Sequence, residues 1–389
     1  MNPAMTDIVE DALPRLIAMR HDLHRHPEIS REEAWTSAFV AERLTEMGIP
    51  VHTGVGGYGV VGVVEGGGEG PGVALRADMD ALAMDEHNSF DHRSQISGAM
   101  HACGHDGHMT MLLGAASYLS LTRRFRGTVY LVFQPAEERY GGAQLMLDAG
   151  LLERFPARNI FGLHNWPDVP AGEVIVHDGP VMAGAGEFTL KFKAPGGHAA
   201  MPHMTGDPVL AGSHFVTGIQ QAVGRAVNPL EAAVVTVGSF QGGFAQNVIS
   251  REATLAGTFR GLRPEILALL RGRVEEVAQS AARIAATEVE IGFDELPSPP
   301  VVNTPVEAEI MRRAARTLPG SPALHIGVPT MAGDDFGAFL EHLPGAYAWI
   351  GNGPSDRNGR LHQPDYDFND AIIGTGVRLL SATAEQALL

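Results

Sequence analysis

The sequence predicts an α/β protein of two domains, one inserted into the other, and three observations carry that reading. Between residues 59 and 165 β-rich apolar runs alternate with helical stretches, as in an α/β sheet. From residue 184 to 296 the order becomes strand, helix, strand, strand, helix, strand, the βαββαβ order of a ferredoxin-like α+β domain. A length of 389 residues is two domains' worth at about 100–200 residues each. The predicted domains are 1–183 joined with 297–389, and the insertion 184–296.

In chain order, Ser30 with Glu33 three residues later reads as a capping box opening a helix over about 31–47, which Gly48 ends. YGVVGVVEG and VALRADMD flank GGGEGPG, so they read as a hairpin whose second strand leaves Asp78 and Asp80 at its carboxyl end. HACGHDGH precedes a helix over MTMLLGAASYLS; TVYLVFQ is a buried strand, GGAQLMLDAG a short helix and NIFGLHN another strand. Three of these strands run into polar clusters, RADMD, QPAEE and LHNW. Ligands of open α/β sheets bind beyond the carboxyl ends of the strands, which predicts one shared site.

In the insertion, EFTLKFKA, AAVVTVGSF, REATLAGTFRG and TEVEIGFDE are strands, and DPVLAGSHFVTGIQQAV and PEILALLRGRVEEVAQSAARIAA are helices. PSPP at 297–300 then returns the chain to a helix over 305–317 and a strand near AYAWIG.

Composition narrows the function. Net charge is −17 and the only lysines are Lys191 and Lys193, so no broad basic surface exists to neutralise a phosphate backbone, and nucleic acid is excluded as the expected partner. No GK[ST] loop and no GxGxxG opening a helix occurs, which removes support for nucleotide chemistry. The N-terminal stretch lacks the basic and apolar regions of a secretory signal, and no apolar run approaches the roughly 18 residues of a membrane span. With one cysteine, a cytoplasmic location is the expectation.

That cysteine, Cys103, stands two residues before His105. Thiolate and imidazole are common ligands of zinc-like ions, while a lone cysteine is equally a small buried hydrophobe and, with a neighbouring base, a nucleophile. Glu137 and Glu138 are adjacent past a strand; they suit a helix N-terminus, or one can ligate a metal while the other moves a proton. His164 and His362 each follow a leucine at the end of an apolar run. Each alone suits a structural histidine; with Cys103, His105 and Glu138 they make a ligand set large enough for two ions sharing a carboxylate.

RADMDAL, HACGHDGHM, FQPAEE, LHNW, GGHAAMPH, NVIS, GTFR, MAGDDF and LHQPDYDFND follow one another across nearly the whole chain. In this register the sequence resembles the metal-dependent amidohydrolases that include hippurate hydrolase, N-acyl-amino-acid amidohydrolases and indole-acetyl-amino-acid hydrolases, within the aminoacylase and carboxypeptidase-type metallopeptidase superfamily. The resemblance implies a zinc-exopeptidase-like catalytic domain with a mixed central sheet, and an inserted lid that dimerises. It also implies a dinuclear site of Cys103, His105, Glu138, His164 and His362, with Glu137 as general base. Asp78 stands where the superfamily has a ligand histidine and is not carried over as a ligand; Asp80 is expected to orient a ligand histidine. His198 in the lid is expected to polarise the scissile carbonyl, reaching the site of a partner subunit, and Asn247 and Arg260 to hold substrate. His101, His108, His177 and His203 are read as structural. Two departures from the family's pattern, Asp334 for glutamate and Glu187 for aspartate, keep the charge.

The implied reaction uses two divalent ions (zinc, manganese, nickel or cobalt) and hydrolyses N-acyl or N-aroyl amino acids, hippurate foremost, to a carboxylic acid and a free amino acid. The competing expectations are a metallo-carboxypeptidase or dipeptidase acting on small peptides, a thiol hydrolase built on Cys103, and a non-catalytic protein that binds amino-acid conjugates.

Overall fold

In the computed structural model the described residues are 3–139, 141–294, 298–318, 324–325 and 327–389. Glu295 to Pro297, where the inserted domain was expected to end, lie outside them. The chain divides into two compact units: Met1–Val181 with Val302–Val328 and Asp335–Leu389, and Met182–Val301 with Pro329–Asp334. Pro329–Asp334 joins the second unit because the Ala183 N–H donates to the carbonyls of Thr330 and Ala332 at 3.1 and 2.9 Å.

The first unit is built on a mixed sheet with eight strands among the described residues, in the order Val51–Val55, Gly59–Glu65, Thr128–Gln134, Gly72–Asp78, Ala157–Pro167, Gly345–Gly353, Val174–Val176, Leu324–His325. Four neighbours in the middle, Thr128–Gln134, Gly72–Asp78, Ala157–Pro167 and Gly345–Gly353, run parallel. These strands are almost wholly buried apolar runs, as expected of parallel strands covered on both faces. The helices Pro3–Arg25, His105–Thr122 and Ile373–Ala387 pack on one another, joining Leu16, Leu112, Leu113, Tyr118, Val377 and Leu380 to the sheet's core. No described helix is long and apolar enough to cross a membrane.

Two local expectations are corrected. Gly59–Glu65 and Gly72–Asp78 do not form a hairpin: Thr128–Gln134 lies between them, antiparallel to the first and parallel to the second. The hairpin is one step earlier, Val51–Val55 with Gly59–Glu65, where Gly56 and Gly57 supply the positive φ of a tight turn. The glycine-rich GGGEGPG is a crossover, since a buried Val73 and Leu75 gain more from a central parallel position than from an edge. Nor is there a capping box at Ser30. The helix runs Ala34–Glu46 and has no side-chain cap at Glu33; the Glu28 carboxylate instead accepts from the N–H groups of Trp35 and Thr36 at 3.0 and 2.8 Å. Ser30 and Glu33 are thereby released for other partners.

The second unit holds a four-stranded antiparallel sheet in the order Ala233–Gly242, Glu252–Gly261, Gly184–Lys193, Glu288–Phe293. Gly184–Lys193 alternates cleanly, burying Phe188, Leu190 and Phe192 against the helices Pro208–Gly218 and Pro264–Ile284. Asp207 caps the first helix by accepting from the N–H groups of Val209 and Leu210. Leu270, Val274, Ala278 and Ala281, at helical spacing, line the buried stripe of the second.

Candidate metal centre

The four central parallel strands each deliver residues to a common place beyond or near their carboxyl ends: Asp78 and Asp80 from Gly72–Asp78, Glu137 and Glu138 after Thr128–Gln134, His164 within Ala157–Pro167, and His362 from the loop after Gly345–Gly353. Cys103 and His105 arrive on the segment entering helix His105–Thr122, which begins four residues before the expected Met109. Gly104 makes that entry with φ 92°, and a Cβ there would lie 2.2 Å from Asn165 Oδ1 and 2.7 Å from the Tyr366 hydroxyl oxygen, so only glycine fits. The His362 N–H donates to the Ala102 carbonyl at 2.8 Å, tying the late loop to this early one.

The donor atoms converge. Cys103 Sγ lies 3.4 Å from His164 Nε2. His105 Nε2 is 3.8 Å from Glu138 Oε1 and 4.0 Å from Glu137 Oε2, and His362 Nε2 is 3.4 Å from Glu138 Oε1. Cys103, His105 and His164 present ligand atoms within 4.8 Å of one another, as do Cys103, Glu138 and His362, and also His105, Glu137 and Glu138. His362 is the exposed member; Cys103, His105 and His164 are buried.

Orientation is set from behind. The Nδ1–H of His105 donates to the Asp80 backbone carbonyl at 2.8 Å, and that of His164 to the Asn165 carbonyl at 2.7 Å. Each ring therefore turns its Nε2 into the cluster, the arrangement usual for ligating imidazoles. Two of the inward atoms, His105 Nε2 and Glu138 Oε1, are buried without a hydrogen-bond partner. Buried polar atoms are ordinarily paired, so two orphans facing each other inside a set of thiol, imidazole and carboxylate donors fit divalent ions of intermediate softness.

Asp80 faces the His105 ring, as expected, with its Oδ1 3.5 Å from His105 Nδ1, and does more. Its backbone carbonyl orients His105, while its carboxylate accepts the N–H groups of Glu137 and Glu138, each at 3.0 Å, and the Ser30 hydroxyl at 2.6 Å. Asp78 is held by Arg76 Nη1 at 2.7 Å and His108 Nδ1 at 2.6 Å. Burial, reinforced by the carboxylates of Glu138 and Glu137, pushes the Cys103 thiol well up, the reverse of what a thiol nucleophile needs.

Two buried polar networks escaped the sequence reading. Arg76 donates to Gln134 at 2.8 Å and to Asp335 at 3.1 Å, and Gln134 donates to the same Asp335. Arg20 donates to Asp106 at 2.9 Å and to Asp367, and His24 donates to Asp106 at 2.8 Å and to Glu86 at 3.2 Å. Asp106 and Asp367 belong to motifs already singled out, but Arg20 and His24, fully buried on the helix Pro3–Arg25, stand in none of them. His101 is buried beside this network, and burial pushes its imidazole down to about 4, so it stays neutral.

In the second unit, His198 and Asn247 meet on a short ladder of Gly197–His198 with Val248–Ile249, where the Ala199 N–H donates to the Asn247 carbonyl at 3.0 Å. Both side chains are exposed, and His198 Nδ1 accepts from the Ala200 N–H. Arg260 lies half-buried on Glu252–Gly261, opposite Ala185 and Val234.

The chain is 39% identical over 380 residues to "IAA-amino acid hydrolase ILR1-like 4" of Arabidopsis thaliana, covering 96% of this chain and 86% of that one. It is 35% identical over 356 residues to "Hippurate hydrolase" of Campylobacter jejuni, covering 91% and 92%. The crystal structure of the YXEP protein of Bacillus subtilis, described as a dinuclear metal binding peptidase from the M20 family, superposes with a TM-score of 0.85 at 30% identity, covering 97% and 99%. The model of one family, peptidase family M20/M25/M40, matches residues 74–386. With strand ends, donor atoms and full-length relatives in agreement, this chain belongs to the peptidase family M20/M25/M40.

Proposed function

We propose that this M20 hydrolase cleaves the amide bond of N-acyl and N-aroyl amino acids, hippurate-like compounds foremost, to a carboxylic acid and a free amino acid. The carrying observation is the pair of unsatisfied buried atoms, His105 Nε2 and Glu138 Oε1, set among Cys103, His164 and His362. Relatives named for hydrolysis of hippurate and of indole-acetyl amino acids, and one named N-acetyl-L-cysteine deacetylase, support the substrate class.

Cys103, His105, Glu138, His164 and His362 would hold two divalent ions, zinc, manganese, nickel or cobalt, which supply Lewis acidity and bring the acidity of water towards neutral pH. Glu137, whose Oε2 lies 4.0 Å from His105 Nε2, is the general base: it takes a proton from the attacking water and passes it to the departing amine nitrogen, so its carboxylate is restored each turn. Asp80 holds the backbone of Glu137 and Glu138 in register. Arg260 binds the substrate's free carboxylate, for which a guanidinium offers a bidentate match, and Asn247 helps to hold the substrate. His198 of the partner subunit donates to the carbonyl oxygen as it gains negative charge, with the second unit serving as lid and dimer surface and the enzyme acting in the cytoplasm.

The test is a hydrolysis panel of N-acyl, N-aroyl and indole-acetyl amino acids alongside unblocked dipeptides, run with each of the four metals. Turnover of acylated amino acids that falls by about 100-fold or more in Glu137→Gln, with metal content unchanged, is the expected result. Activity confined to dipeptides, or unchanged in Glu137→Gln, overturns the reading.

A further inference from the structure

The turn that carries Glu137 and Glu138 is shaped by residues far from it in sequence. Ala136 has φ +54°, a left-handed conformation that costs a non-glycine residue about 1 kcal/mol or more and persists where surroundings enforce it. Around such a residue successive N–H groups can gather into a concavity that attracts anions. Here the acceptors are built in. The N–H of Ala136 donates to Glu33 Oε1 at 2.8 Å, that of Glu137 to Asp80 Oδ1 and that of Glu138 to Asp80 Oδ2, each at 3.0 Å. Glu33 is fully buried, and its carboxyl receives backbone N–H groups of its own loop as well as that of Ala136. Ser30 donates to the same Asp80 Oδ2 at 2.6 Å. The Ile29 backbone bridges to Ala81, and the Ala81 N–H donates to the Glu28 carbonyl at 2.8 Å. On the other side the Gly142 N–H donates to the Ala136 carbonyl at 3.0 Å, with no room for a side chain: a Cβ on Gly142 would lie 1.6 Å from the Pro135 oxygen.

We propose that Ser30 and Glu33 are positioning residues of the hydrolytic site: by holding Asp80 and the Ala136 N–H they fix three consecutive backbone groups and so aim the Glu137 and Glu138 carboxylates. This rests on the roles given above to Glu137 as base and Glu138 as ligand. The segment Glu28–Glu33 then has two tasks, since Glu28 caps the helix that would otherwise claim Ser30 and Glu33.

The experiment compares Glu33→Met, which fills the space without an acceptor, Glu33→Gln, which keeps one, and Ser30→Ala. Metal affinity is measured by competition against a chromophoric chelator, which needs no substrate, and kcat and KM with the best compound of the panel. Glu33→Met is expected to lose about 10–100-fold in kcat and in affinity for the weaker-bound ion, with KM nearly constant, as is usual when a group supporting a metal ligand is removed. Glu33→Gln should recover most of both, and Ser30→Ala should show a smaller loss of the same kind. If Glu33→Met fails to fold, Ser30→Ala and Glu33→Gln carry the comparison. Wild-type kcat and metal affinity in Glu33→Met and Ser30→Ala overturn the proposal, as does equal damage in the Gln and Met variants. A wild type that hydrolyses nothing in the panel counts against the function alone, because the metal competition still decides the positioning role.

Discussion

Replacing Glu33 by glutamine should change how stability depends on pH. Burial, with the Asp80 carboxylate nearby, pushes the Glu33 carboxyl up from 4.5 to about 7. In the unfolded chain the group returns to its ordinary value, so between pH 4.5 and about 7 the folded protein holds the extra proton and the unfolded chain does not. Stability from this group is complete below pH 4.5 and is lost as pH rises through about 7. At about 1.36 kcal/mol per factor of ten in proton affinity, the rise from 4.5 to about 7 amounts to about 3 kcal/mol as a ceiling. Glutamine keeps the acceptor for Ala136 and never ionises. Urea unfolding of both proteins in chelator-containing buffer from pH 4.5 to 8, followed by tryptophan fluorescence, measures the difference. Trp35, Trp166 and Trp349 all lie in the first unit, so the signal reports the unit that contains Glu33. The variant should gain about 2–3 kcal/mol on the wild type across that range, while titrations common to both cancel. Parallel stability curves, or a variant that gains on the wild type as pH falls, would refute the linkage.

Arg20→Met should cost about 3–5 kcal/mol of unfolding free energy, because it leaves the fully buried Asp106 with only part of its compensation. Adding Asp106→Asn should return part of that loss, and a urea midpoint unchanged in the single variant would count against the network. For the shared site, mixing inactive His198→Ala chains with inactive Glu137→Gln chains should raise activity well above either parent once mixed dimers form. No recovery in verified mixed dimers would remove His198 from the partner's site.

What was legible in the sequence, and what was not, follows from the range of the interactions involved. Strands such as TVYLVFQ and helices such as PEILALLRGRVEEVAQSAARI show themselves in local periodicity. Pairing does not: nothing local in YGVVGVVEG or VALRADMD tells that Thr128–Gln134 will come between them. The convergence of Glu138, His164 and His362 was readable because they stand within or after parallel strands, where topology gathers them, whereas Cys103 arrives at the start of a helix. Ser30 and Glu33 carried a local signal that pointed the wrong way. Their S-x-x-E spacing matches a capping box, yet Glu28 takes the helix N–H groups and the long-range partners Asp80 and Ala136 take the other two. Arg20 and His24 show the opposite case, charged side chains on a helix that are compensated inside by the distant acceptors Asp106, Asp367 and Glu86.

The four-strand origin of the donor cluster also sets a timetable for the growing chain. Cys103, His105, Glu138 and His164 leave the ribosome early, the whole second unit follows, and the strand Gly345–Gly353 with the His362 loop comes last. At about 5–20 residues per second, roughly 10–40 s separate His164 from His362. Throughout that interval the chain holds the thiol, two imidazoles and a carboxylate of the proposed set without its fifth member. A half-built chelate of sulfur and nitrogen favours whichever free ion binds such donors most tightly, copper before zinc or manganese. The exposed His362 is the last of the proposed ligands to be made.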